Sequence, residues 1–150
     1  MELILWRHAE AEDGAPDEAR RLTPHGRDQA ERMAAWLAKR LPRDYRLLVS
    51  PARRTQQTAS ALRHDFETVN ALAPGAGVAA VLRAAGWGAS RDTVIVVGHQ
   101  PTLGAVAARL LGRDETSWSV RKGAVWWLAD RDREGVAGIL LRAAISPDLL

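Results

Sequence analysis

The 150-residue sequence predicts an α/β fold, with a mostly parallel central sheet and helices packed on its faces. Three observations carry this reading. Short, largely apolar runs at Leu3–Trp6, Arg46–Val49 and Thr93–Val97 have the character of strands buried on both faces. Each is followed by a helical segment, marked by apolar residues at helical spacing after the first strand and by a cap-and-proline start after the second. No internal repeat, low-complexity tract or linker-like stretch divides the chain, so a single domain over 1–150 is expected.

Taken in order, Leu3-Ile4-Leu5-Trp6 opens the fold as a strand. Thr23 followed by Pro24 is a helix start, an N-cap with proline in the first turn. The helix puts Ala30, Met33, Ala34, Leu37 and Leu41 on one face, and Pro42 closes it. After the second strand, Ser50-Pro51 repeats the cap-and-proline pattern for a second helix. Glu67-Thr68-Val69 is read as a short strand. Gly75 to Gly77 is a turn that opens a helix through Val78, Val81, Leu82 and Ala85, stopped by Gly86. The β-branched run Thr93–Val97 is the clearest strand, followed by a helix from Thr102 to Leu111. Val125–Leu128 and Ile139–Leu141 are two closing strands, joined through a charged turn near Asp130–Gly135. Gly75-Ala76-Gly77-Val78-Ala79-Ala80 has the form of a dinucleotide fingerprint, but no buried strand precedes it and no acid follows about 20 places on.

Bulk properties narrow the function. Hydrophobic residues make up 47% and charged residues 26%, a globular composition. No apolar run approaches the roughly 20 residues of a membrane span, and the first residues lack a signal-peptide pattern. Zero cysteines exclude disulfides, thiolate metal sites and cysteine nucleophiles. A cytoplasmic protein with no membrane contact is expected. The net charge of +3 comes from arginines spread along the chain and mixed with acids, with only Lys39 and Lys122 besides; nucleic acid is therefore not expected as a partner.

In parallel sheets, ligands bind beyond the carboxyl ends of the strands. Arg7-His8 follows the first strand, Ser50-Pro51-Ala52-Arg53-Arg54 the second, and Gly98-His99 the strand at Thr93–Val97. Singly, each has a bland reading as a surface histidine or a solvated arginine pair. Together they suit phosphoryl transfer, where positioning and charge stabilisation dominate. Arginine donates paired hydrogen bonds to phosphate and stays charged. A neutral imidazole can attack phosphorus while a second, cationic one stabilises the transferring oxygens. No carboxylate cluster suited to magnesium is present, so neither metal nor cofactor is expected.

At these residues the sequence resembles the histidine phosphatase superfamily, to which the cofactor-dependent phosphoglycerate mutases belong. Arg7-His8-Ala9 is similar to its Arg-His-Gly signature, and Leu22-Thr23-Pro24-His25-Gly26 with Gln29-Ala30 to its Leu-Thr-x-x-Gly-x-x-Gln-Ala segment. Ser50-Pro51-Ala52-Arg53-Arg54-Thr55-Gln56-Gln57-Thr58-Ala59 resembles its Ser-Pro-x-x-Arg-x-x-Gln-Thr-Ala segment, which aligns Arg54 rather than Arg53 with the phosphate-binding arginine. Gly98-His99 resembles the Gly-His of the second histidine. The resemblance implies a three-layer α/β/α sandwich of the phosphoglycerate mutase type. It makes His8 the nucleophile and Arg7, Arg54 and His99 the rest of a pocket for phosphate or another oxyanion.

The nearest branch is the short SixA-type phosphohistidine phosphatases, through the length, Glu10 two places after the histidine, and Asp17, Arg20, Leu22 and Thr23 in an Asp-x-x-Arg-x-Leu-Thr segment. That branch implies that Arg20 reaches the phosphate and that the partner is a phosphorylated protein such as a histidine phosphotransfer domain. Two departures matter. Ala9 replaces the usual glycine. The acid that phosphomonoesterases of the superfamily carry before the Gly-His strand has no counterpart in the short segment from Ser60 to Asp92, which offers only Asp65, Glu67 and Asp92. A small-molecule phosphomonoesterase using Glu10 or Glu12 as acid is the alternative, and a non-catalytic phosphoprotein-binding module a third reading.

Overall fold

In the computed structural model, which describes residues 1–112, 117–133 and 135–150, the apolar runs become neighbouring parallel strands. The elements in chain order are β1 (Glu2–Arg7), α1 (Pro24–Ala38), β2 (Arg46–Val49), α2 (Arg53–Ser60), β3 (Glu67–Thr68), α3 (Val78–Ala85), β4 (Thr93–Gly98), α4 (Thr102–Leu110), β5 (Val125–Arg133) and β6 (Val136–Ile145). The sheet order is β3-β2-β4-β1-β5-β6. The first four strands run parallel, while β5 and β6 form an antiparallel hairpin on the β1 edge. The result is the phosphoglycerate mutase-like α/β sandwich.

Alternation along the buried strands explains the three layers. Leu3, Leu5, Leu48, Val94 and Val96 face α3 and α4 through Val81, Ala85, Leu103 and Val106. Ile4, Trp6, Leu47, Val49, Ile95 and Val97 face the other way, onto Met33, Ala34 and Leu37 of α1 and Ala59 of α2. Both faces are dry, so the strands read as unbroken hydrophobic runs rather than alternating ones. Each such side chain contributes about 1.5–3 kcal/mol by leaving water.

Helix boundaries follow local chemistry, with one correction. The Thr23 hydroxyl accepts from Gly26 N at 2.9 Å, so the cap that begins α1 is real. Gly86 ends α3 in the left-handed region at φ 71°. Ser50, however, does not cap α2. That helix starts at Arg53 behind Ala52, with no side-chain cap. The Ser50 hydroxyl is instead turned toward His99. The closing strands also run further than their apolar cores, to Arg133 and from Val136, so the turn between them is shorter than the Asp130–Gly135 expected; residue 134 lies outside the described residues. Trp118 packs edge-on against Trp126 at 5.2 Å, and Trp87 packs against the α3/α4 side of the core.

The segment between β1 and α1 folds back on itself. Ala11 and Leu22 form an isolated bridge, and Thr23 N donates to Glu10 O at 3.1 Å. Gly26 makes that return possible, because a Cβ there would overlap the Glu10 carbonyl oxygen. Ala9 is fully buried beside Ala11, Leu22 and Ala30, so its extra methyl has a packed place. Gly26→Ala should therefore destabilise the fold by about 1–3 kcal/mol, the range for forced overpacking. Urea unfolding of the two proteins measures this; an unchanged midpoint would mean that the contact relaxes freely.

Candidate active site

The parallel register brings the chemistry together. Arg7 lies opposite Gly98, and Val49 opposite Val97, so residues just past β2, β4 and β1 emerge side by side. His8 N donates to Gly98 O and Ser50 N to Val97 O, both at 3.1 Å, which continues the ladder into the site. The His8 and His99 rings stand 5.4 Å apart at 52°.

Each imidazole has a defined proton. His8 Nδ1 lies 2.7 Å from Ala9 O, and a carbonyl can only accept, so Nδ1 carries the hydrogen and Nε2 keeps its lone pair. His99 Nδ1 faces Arg54 Nη2 at 3.3 Å; a guanidinium can only donate, so here Nδ1 is the acceptor. His99 Nε2 then donates to Ser50 Oγ at 2.7 Å. Burial pushes His8 down to about 3, helped by His99, Arg54 and Arg7 against the raising bond to Ala9 O. Burial and then Arg54 push His99 down to about 4, with Asp17 pulling the other way. The second imidazole is thus neutral in this state, not the cation expected from sequence.

The arginines surround this pair. Arg7 Nη1 donates to Val120 O at 2.8 Å. Burial, then Arg54, lowers Arg7 from its ordinary value. Arg54 is 4% exposed whereas Arg53 beside it is exposed, as residues about 100° apart on a helix must be. Arg7 Nε and Arg54 Nε are buried with no hydrogen-bond partner among the described residues. Buried donors left unsatisfied are costly, and two guanidinium groups, close enough that Arg54 lowers Arg7, suit an oxyanion between them. Arg20 lies one link further out: its Nε donates to Glu12 O at 2.7 Å and its Nη1 to Asp17 Oδ1 at 3.1 Å, so in this state it reaches the pocket only through Asp17.

Asp17 was not singled out from sequence beyond its place in the Asp-x-x-Arg segment. It sits on the 3₁₀ turn Asp17–Ala19, and Arg54 donates to its carbonyl oxygen at 2.8 Å and to Oδ2 at 3.0 Å. Hydrogen bonds from Arg20 and then Arg54 hold its carboxyl below the usual carboxylate range. Glu10 and Glu12 point to other work: Glu10 accepts the Thr23 hydroxyl at 2.8 Å and Glu12 pairs with Arg21 at 2.9 Å. Of the later acids, Glu67 pairs with Arg46.

The polar residues around the motifs act as scaffolding. Thr58 Oγ1 accepts from Ala9 N and donates to Arg54 O, tying the histidine loop to the arginine helix. Gln29 and Gln57 accept from Glu10 N and Leu22 N. Among the described residues, no group of three or more His, Asp or Glu side chains is placed to hold a metal. A cleft of about 850 Å³ lies between Met1, Trp87, Asp130 and Ile139 at the opposite ends of the strands, away from these groups. No helix among the described residues is long and apolar enough to cross a membrane.

Two strand-end histidines gathered with the buried Arg54 and the half-buried Arg7 define a phosphoryl-handling enzyme of the histidine phosphatase kind. The sequence profile of the Histidine phosphatase superfamily (branch 1) matches residues 3–75. The phosphohistidine phosphatase SixA of Escherichia coli is 31% identical over 119 residues, 73% of this chain and 74% of that one. An uncharacterised protein of Mycobacterium tuberculosis is 33% identical over 121 residues, 76% and 75% of the two chains. The solved structure of the protein histidine phosphatase SixA complexed with tungstate superposes with a TM-score of 0.79 at 28% identity, covering 99% of both chains. A phosphoserine phosphatase from Entamoeba histolytica, at 17% identity, shares the fold with a TM-score of 0.73 over 99% of this chain and 98% of that one. The chain belongs to the histidine phosphatase superfamily and is a SixA-like phosphatase.

The depressed imidazole values set the pH response. Both histidines bind protons less readily in the native state than the ordinary value of about 6.5 in the unfolded chain. Their contribution to stability is complete above pH 6.5 and is lost as pH falls toward 4 and below. The slope should reach about 1.4 kcal/mol per pH unit for each histidine. Nitrogen NMR should find His8 and His99 neutral at pH 5.5; an imidazolium signal from either would refute the burial argument.

Proposed function

We propose that this phosphatase removes phosphate from phosphohistidine in a protein such as a histidine phosphotransfer domain, through a covalent intermediate on His8 and without a metal. The observation that carries the choice of substrate is the state of Asp17. Among the described residues it is the only carboxylate hydrogen-bonded to the arginines and histidines of the pocket, and two guanidinium groups hold it ionised. An ionised carboxylate cannot protonate an alkoxide. Imidazole leaves more readily than an alkoxide, so phosphohistidine suits a pocket without a general acid. A cytoplasmic location belongs to the same reading.

The reaction runs in two displacements. His8 Nε2, with its lone pair directed away from the Nδ1–H···Ala9 bond, attacks phosphorus as the phosphorus–nitrogen bond of the substrate breaks. The substrate imidazole departs with the proton carried on its ring. Arg7 and Arg54 turn guanidinium N–H groups to the equatorial oxygens, Arg54 exchanging its bonds to Asp17 for them, and Arg20 joins if Asp17 yields. Water then cleaves the His8–phosphorus bond, releasing inorganic phosphate and the free imidazole. As the phosphoryl oxygens bring negative charge beside His99, its proton affinity rises, so it can become the cation that burial and Arg54 otherwise disfavour.

Acid-labile, base-stable phosphate should be trapped on the wild-type protein and be absent from His8→Ala; label on His25 or a serine would sink the assignment. In a direct comparison, kcat/KM should be high for phosphohistidine and aryl phosphates. Alkyl phosphates should fall behind by about 10²- to 10⁴-fold, the usual contribution of acid assistance. Equal turnover of alkyl esters would hand the site to a small-molecule phosphomonoesterase.

The two neighbouring arginines should separate cleanly. Arg54→Ala should lose about 2–4 kcal/mol of transition-state stabilisation, or about 30- to 1000-fold in rate, and Arg53→Ala very little. Comparable losses would show that phosphate is not held by the buried member of the pair.

A further inference from the structure

A second polar groove begins where the phosphate pocket ends. Its volume is about 410 Å³, and its walls include Arg7 and Glu10, His25 of α1, Arg121 and Lys122 from the turn before β5, and Asp148 near the C-terminus. Nothing in the two displacement steps uses its outer residues.

The turn carrying the two cations is gripped by the end of β1. Arg7 Nη1 donates to Val120 O at 2.8 Å, on one side of Arg121 and Lys122. On the other side, Gly123 N donates to His8 O at 3.1 Å and Trp6 Nε1 to Gly123 O at 3.2 Å. Gly123 sits at φ 73°, and a Cβ there would stand 3.0 Å from Pro147 Cγ and 3.3 Å from Gln29 Cβ, so the turn is also closely packed. The backbone bearing the cations is therefore held in a set place relative to His8, while the side chains remain exposed; that of Arg121 is 70% exposed.

The charges in the groove do not cancel. Three cations, Arg7, Arg121 and Lys122, face two carboxylates: Asp148 pairs with Arg121 at 3.4 Å, and Glu10 accepts the Thr23 hydroxyl but keeps its charge. Lys122 has no ion pair or hydrogen bond among the described residues. An ammonium without an ion pair on a closely packed turn, in a groove whose cations outnumber its carboxylates, favours a partner with a negative group beside its phosphoryl group.

We propose that this groove docks an acidic side chain of the protein that presents the phosphohistidine, with Lys122 as its main contact and Arg121 in support. The inference rests on the phosphohistidine-protein reading above. A groove that starts at Arg7 and opens at the surface suits a macromolecule whose phosphoryl group occupies the pocket while its flank lies along the rim. Rim charges of this kind act mainly through encounter and KM, not through the bond-breaking step.

The test compares the wild type with Lys122→Glu and with the paired Arg121→Gln/Lys122→Gln variant. Three substrates are used: a histidine-phosphorylated phosphotransfer domain, phosphoimidazole, and phosphoserine, which carries its own carboxylate. For Lys122→Glu, kcat/KM on the phosphoprotein should fall by about 10-fold, almost wholly in KM, with phosphoimidazole within about 2-fold of wild type. The paired variant should follow in the same direction by a smaller factor. Raising salt should increase the wild-type KM for the phosphoprotein more than that of either variant. An unchanged KM for the phosphoprotein would overturn the proposal. So would an equal loss on phosphoimidazole, which would mean the cations serve the phosphoryl group itself, or a loss confined to phosphoserine, which would make the groove a small-molecule subsite. Wild-type enzyme that turns over neither phosphohistidine substrate would refute the functional reading itself and remove this inference with it.

Discussion

Parallel pairing of β2, β4 and β1 is the constraint on which the site depends. The register places Arg7 against Gly98 and Val49 against Val97, and the first residues beyond each strand inherit that alignment. Burial on both faces makes the register stiff, since a slip of one residue would exchange the Ile4/Trp6 set for the Leu3/Leu5 set across the sheet. The histidine spacing of 5.4 Å is in this sense a property of the core. The hairpin of β5 and β6 seals the β1 edge, and the turn before it reaches back to His8 and Arg7.

The site is an electrostatic compromise. Arg7, Arg54 and Arg20 bring three guanidinium groups toward one pocket, and their mutual repulsion adds to the desolvation of Arg7 and Arg54. Two features offset this. The histidines stay neutral, and Asp17 bridges Arg20 and Arg54 with its two carboxylate oxygens. The remaining positive potential is what an arriving phosphoryl group would meet, already oriented, with no reorganisation needed at His8. Hydroxyl and amide side chains at Ser50, Thr58, Gln29 and Gln57 accept from the backbone N–H groups of Ala52, Ala9, Glu10 and Leu22, which these sharp passages would leave unpaired.

Local pattern in the chain was enough to reveal the α/β class and most strand and helix segments, and it pointed to Arg7, His8, Arg54 and His99, which the fold brings together. Strand character resides in short buried runs, and helix starts in Thr23-Pro24, so neighbours in sequence suffice to recognise them. The family segment singled out Arg54 over Arg53; helical geometry requires only that the two diverge, and the fold shows Arg54 to be the buried one. Where sequence misjudged, a distant partner decided. Ser50-Pro51 looks like a cap, but its hydroxyl is claimed by His99, 49 residues away. Glu10 and Glu12 stand near His8 in sequence, but their partners Thr23 and Arg21 come from the far side of the returning segment. Asp17 looks like one more exposed carboxylate until Arg54, 37 residues on, is placed on it. Proton affinities and the groove beside Arg121 and Lys122 belong to the same class. They depend on burial and on charges brought together across the sheet, and no spacing along a chain encodes a distance between segments that only packing makes adjacent.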